Sequence, residues 1–126
     1  VIVYAPQPQP VPAPVVVRLI GLLDADLVAA FAALESSYAG AAGATVLVDV
    51  RDADVLRETE MDELARAVGA ARRQGRDVRL DARSVHWRRA AKKNISGQPV
   101  VDAKLRSAVR RTVIVAHSHG NRRKRR

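Results

Sequence analysis

The densest run of carboxylates in the chain lies between Asp49 and Glu63. General acid–base catalysis needs paired groups of this kind with displaced pKa values. Carboxylates that alternate along a strand or cap a helix are commoner, so the run is expected to be structural. His117-Ser-His119 places two imidazoles on one face of an extended segment and offers two metal ligands. With no Cys in the chain and no matched carboxylate, two ligands fall short of a zinc set. His86 stands alone in a basic stretch, and a solvated imidazole is expected for all three histidines. Gly40 and Gly43 lack a following Lys-Ser/Thr, so they do not form a phosphate-binding loop. No Gly-x-Ser-x-Gly elbow is present. Asn94-Ile-Ser96 matches a glycosylation sequon but has no secretory context. The expectation is a non-enzymatic chain with no cofactor and no metal.

Cationic residues are the second candidate chemistry. Residues 1–82 hold 8 Lys and Arg against 12 Asp and Glu, whereas residues 83–126 hold 14 against 1. That asymmetry predicts an acidic globular part with a basic face or appendage, able to attract polyanions. His86-Trp-Arg-Arg-Ala-Ala-Lys-Lys93 pairs an aromatic with cations, as single-strand binders do. At helical spacing Trp87 equally faces the core with Ala90 or Ala91, and burial is preferred in a chain with one Trp. The tail Arg122, Arg123, Lys124, Arg125 and Arg126 has no packing role and is the better polyanion-binding candidate.

These groups need a scaffold, and the composition bounds it. The chain has 126 residues, a net charge of +9, 48% hydrophobic residues and 3% aromatics. One domain with an aliphatic core of Val, Leu and Ala is expected. Without Cys there are no disulfides. No apolar run reaches a membrane-spanning length of ~18 residues. The N-terminus lacks the basic and apolar regions of a secretory signal, so a cytoplasmic location is expected. The first residue is Val rather than Met.

The elements alternate. Residues 1–4 are β-prone, and residues 5–14 hold five of the six prolines, which predicts an extended leader. Residues 15–20, Val-Val-Val-Arg-Leu-Ile, are β-branched and read as a strand. Asp24 or Asp26 can cap a helix whose stripe is Leu27, Val28, Phe31 and Leu34, running to about Tyr38. Thr45-Val-Leu-Val-Asp-Val50 predicts a strand covered on both faces. Arg51-Asp-Ala-Asp54 predicts an acidic turn. Thr59 with Asp62 resembles a capping box for a second helix with the stripe Met61, Leu64, Val68 and Ala71. Further expectations are a strand at 77–81, a helix from a Ser84 cap to about Lys93, a helix over 102–111 and a strand at 112–116. The domains are therefore a Pro-rich leader at 1–14, an α/β domain at 15–116 and a basic disordered tail at 117–126.

Residues 16–94 resemble a STAS domain, the fold of bacterial anti-sigma-factor antagonists and of the soluble tails of sulfate transporters. Arg18-Leu-Ile-Gly-Leu-Leu-Asp24 is similar to the family's opening strand and Gly-x-Leu-Asp turn. Val46-Leu-Val-Asp49-Val50 is similar to its central strand, and Gly75-Arg-Asp-Val-Arg-Leu80 to the next. Val55-Leu56 followed by Met61, Leu64, Ala65 and Val68 has the spacing into the second helix. Residues 84–93 take the place of the third helix. The resemblance implies a single STAS-like α/β domain, with a central mixed sheet and helices packed mainly on one side.

The family's phosphorylated switch, Asp-Ser-x-Gly, aligns with Arg57-Glu58-Thr59-Glu60. Glu58 replaces the serine and carries one negative charge where phosphate carries nearly two. Thr59 is the alternative acceptor, and a helix cap is its competing role. The resemblance implies a bacterial, transcription-regulating interaction module. Its partner, an anti-sigma factor or kinase, would be held at the strand-to-helix junction of Leu56, Arg57, Glu58, Thr59, Glu60 and Met61. The alternative, drawn from charge, is an RNA- or ribosome-associated protein using residues 83–126.

Overall fold

Successive side chains of a strand alternate between faces, and Val15–Leu22 (β2) alternates buried and half-buried along its whole length. In the computed structural model, which describes residues 1–4, 14–95, 101, 105 and 113–118, this strand is the centre of a mixed sheet. Val15, Val17 and Leu19 point into the main core, while Val16, Arg18 and Ile20 line the opposite face. β2 pairs in parallel with Val46–Asp49 (β3) on one side and Val113–His117 (β6) on the other. Val78–Asp81 (β5) extends the sheet beyond β3, also in parallel. Ile2–Tyr4 (β1) closes the other edge, antiparallel to β6. With Ala53–Asp54 (β4) the described sheet has six strands, and the chain is an α/β domain.

Helices supply the crossovers that parallel neighbours require. Ala25–Glu35 (α1) joins β2 to β3, Glu58–Arg73 (α2) leads into β5, and Val85–Asn94 (α3) follows β5. Asp24 caps α1, accepting from the Leu27 amide at 2.9 Å. Leu27 and Phe31 are fully buried, with Val28 and Leu34 packed beside them. Beyond Glu35 the chain widens into a π-turn over Ser36–Ala41, so the α-helix ends before Tyr38. Arg76 donates to both carboxylate oxygens of buried Glu35 at 2.8 Å, tying this end of α1 to the loop after α2. The Glu35 hydrogen bonds, larger than the cost of desolvation, raise the Arg76 pKa.

The stripe Met61, Leu64, Val68 and Ala71 of α2 is buried against the sheet side that also takes α1. All four residues of β3 are buried, as its unbroken apolar character predicts. Val46 and Val48 face the helices, and Leu47 faces away, where Val101, Leu105 and Val16 cover it. The helix expected over 102–111 lies largely outside the described residues, although Leu105 within it is helical. Most of the leader and residues 119–126 also lie outside them. β6 runs one residue further than expected, to His117. Ser118 beyond it is buried, donating its amide to the Ile20 carbonyl at 2.9 Å. Among the described residues no helix is long and apolar enough to cross a membrane.

Candidate functional site

The expected junction begins where β3 ends. The Arg51-Asp-Ala-Asp54 segment was expected to be only a turn. Its last two residues instead form β4, with Gly21 opposite Ala53 and Leu22 opposite Asp54 on β2. Gly21 takes a positive φ of 96° there, which suits a residue without a Cβ. This pairing carries the chain across the end of the sheet before it turns into α2. Val55 packs on the core, and Leu56 points outward, 62% exposed.

The start of α2 corrects the Thr59–Asp62 capping box. Arg57 is the N-cap, with extended φ −139° and ψ 147°, and Thr59 sits exposed within the first turn. Glu60 reaches back to accept the Arg57 amide at 3.1 Å, and its other oxygen meets the Arg57 guanidinium at 3.4 Å. Arginine has no acceptor, so it gives the first-turn amides no side-chain cap. Glu58 and Glu60 place negative charge at the positive end of the helix dipole. Asp62 turns away from this end altogether. It accepts from Lys93 Nζ at 3.2 Å and from Asn94 Nδ2 at 3.0 Å. The Lys93 hydrogen bond, helped by Asn94 and opposed by burial, holds the Asp62 carboxyl below its ordinary pKa.

Those bonds fasten α3 to α2. Ser84 caps α3, accepting from the Trp87 amide at 3.2 Å, and Trp87, Ala90 and Ala91 are buried. At Gly69 the two helices meet so closely that a Cβ would stand 2.7 Å from the Asn94 carbonyl oxygen. Between the α2 N-terminus and α3 a groove of about 470 Å³ remains open. Its apolar lining includes Ala53, Val55, Leu56, Met61, Trp87 and Ala90. Arg57, Glu58, Asp62, Ser84, His86, Arg89 and Lys93 supply charge and polarity. The volume lies within the ~300–1,000 Å³ range of ligand clefts. Of the expected junction, Leu56, Arg57, Glu58 and Met61 line the groove, while Thr59 and Glu60 do not. The contribution of α3 was not foreseen. Its signal was the combination of a buried Trp with a helix free of acidic residues.

Next to this groove, at the carboxyl ends of β3 and β5, a smaller recess of about 290 Å³ is lined by Arg51, Asp81, Arg83 and Trp87 among others. Asp49 and Asp81 are register partners and both are buried. Each meets the arginine two residues on: Arg51 Nη2 lies 2.9 Å from Asp49, and Arg83 Nη2 lies 3.0 Å from Asp81. The Asp49 hydrogen bond raises the Arg51 pKa further. Arg18, the register partner of Asp49 on β2, lies 3.9 Å from it and bonds Asp52. The carboxylates thus sit in an alternating charge row, each compensated locally.

Of the other candidates, His86 is exposed on α3, and His117 ends β6 while His119 lies outside the described residues. Among the described residues no three His, Cys, Asp or Glu side chains are placed to hold a metal. Arg122, Arg123, Lys124, Arg125 and Arg126 lie outside the described residues. No protein-family model, curated protein or solved structure matches this chain.

Proposed function

We propose that this chain is a non-enzymatic protein-interaction module, similar to a STAS-type anti-sigma-factor antagonist, that docks a regulatory partner at the junction of residues 56–61. The single observation that carries the reading is Leu56. A large aliphatic side chain stands 62% exposed at the rim of an apolar-floored groove, beside a helix start with no side-chain cap from its N-cap residue. Surface leucines adjoining such a cleft mark contact sites when the apolar area is continuous. The α/β architecture with its mixed sheet is compatible with the resemblance. A bacterial cytoplasmic setting and a role in transcription control belong to this proposal.

A photo-crosslinking amino acid at Leu56, with a control at exposed Ala33 on α1, tests it in cells of the source organism. A discrete adduct from position 56 that survives nuclease, and none from position 33, is expected. Equal labelling at both positions, or an adduct lost on nuclease treatment, refutes the reading. The second of these outcomes would favour the RNA-associated alternative.

A further inference from the structure

We propose that the groove between α2 and α3 receives an acidic amphipathic segment of a partner protein, with its apolar residues on Leu56 and Met61 and its carboxylates on the cations of α3. This rests on the interaction reading above and adds the chemistry of the partner.

The charge pattern of α3 carries the argument. Its ten residues include Arg88, Arg89, Lys92 and Lys93 and no acidic residue. Arg88 with Lys92, and Arg89 with Lys93, form two i,i+4 pairs of like charge, a spacing that disfavours a helix. Lys93 is relieved by Asp62 at 3.2 Å, and Arg88 spends one donor on the Arg83 carbonyl at 2.8 Å. Arg89 and Lys92 are exposed and have no ion pair among the described residues. Arg89 and His86 stand at the groove beside apolar Leu56, Met61 and Trp87. An occupant must therefore be apolar on one face and negative on the flank that meets α3. That is the pattern of an amphipathic helix seated in a groove.

A nucleic acid fits less well. Trp87 is only 7% exposed, so its ring belongs to the core and offers no stacking platform. The apolar floor of the groove would have no counterpart on a phosphate backbone.

Trp87 is the only tryptophan in the chain and lines the groove, so its fluorescence reports binding directly. The full chain is titrated with a synthetic amphipathic peptide about 15 residues long, long enough to populate a helix. It carries Leu along one face and Glu along its flanks. A copy with Lys for Glu and a single-stranded RNA oligonucleotide are titrated in parallel. The Glu peptide is expected to shift the emission and to weaken about tenfold between roughly 50 and 300 mM salt. Arg89→Glu should weaken it by about tenfold or more, and Arg73→Glu, the same charge change on exposed α2 surface away from the groove, by less than about threefold. The Lys peptide should not bind. Equal binding of the Glu and Lys peptides, no response to the Glu peptide, equal sensitivity to the two arginine changes, or an RNA-induced shift abolished by Arg89→Glu overturns the proposal. If Leu56 crosslinks a protein while peptide binding ignores Arg89→Glu, the interaction reading stands and the acidic partner falls. If the Glu peptide binds as expected and no protein crosslinks at Leu56, the chemistry of the groove stands and the regulatory role falls.

Discussion

Replacing Gly69 with Ala separates two arguments that predict opposite signs. Judged by helix propensity, Gly→Ala inside a 16-residue helix should stabilise by about 0.5–1 kcal/mol. The tertiary structure opposes it. The new Cβ would sit 2.7 Å from the Asn94 carbonyl oxygen, whereas ordinary contact begins near 3.4 Å. The end of α3 must then retreat by about 0.7 Å, which also stretches the Asn94–Asp62 hydrogen bond of 3.0 Å. The obstacle is backbone and cannot swing aside like a side chain. Overpacking of this kind costs about 1–3 kcal/mol. Set against the propensity gain, the net expectation is a loss of about 1 kcal/mol, or about 4 °C in melting temperature. Urea denaturation followed by far-UV circular dichroism and by Trp87 fluorescence reads both the midpoint and the displacement of α3. A raised midpoint would refute the close approach of α2 and α3, and with it the shape assigned to the groove.

Phe31→Ala should cost about 3–5 kcal/mol, because the ring is fully buried between α1 and the sheet, and a loss under about 1 kcal/mol in denaturant would contradict that packing. Gly75→Ala should cost about 1–2 kcal/mol through strain alone, since its φ is +86° and the space around it is empty; an unchanged midpoint would disprove the left-handed turn. Acid should destabilise the chain below about pH 4. Burial pushes the Asp77 carboxyl up, but hydrogen bonds from Arg79 and Thr45 and the nearby arginine charges outweigh it, and Asp62 is lowered by Lys93. Both carboxylates therefore contribute stability above their unfolded pKa that is lost as pH falls through the lower folded value. Asp62→Asn should shrink the difference in denaturation midpoint between neutral and acid solution, and an undiminished difference would exclude that contact as a source.

What could be read from the sequence was what short spacing controls. The β-branched run of β2, the unbroken apolar run of β3 and the stripes of α1 and α2 depend only on side-chain periodicity against a buried surface. Asp24 and Ser84 act as caps because their oxygens reach an amide three residues on. Trp87 is buried because few other side chains in this aliphatic chain could fill its place. The tertiary structure decided the rest. Thr59 had the local chemistry of a cap, yet β4 pairs with a strand more than thirty residues earlier and fixes the chain direction so that Arg57 takes that position. Asp62 looked like half of a capping box, and its partners proved to be 31 and 32 residues away on α3. The junction at Leu56 was legible as a helix start after an apolar pair. The groove was not, because its second wall comes from α3, which is held in place by Asp62 and by the missing side chain at Gly69. Such contacts leave no periodic trace: they form only when distant segments are brought together and packed.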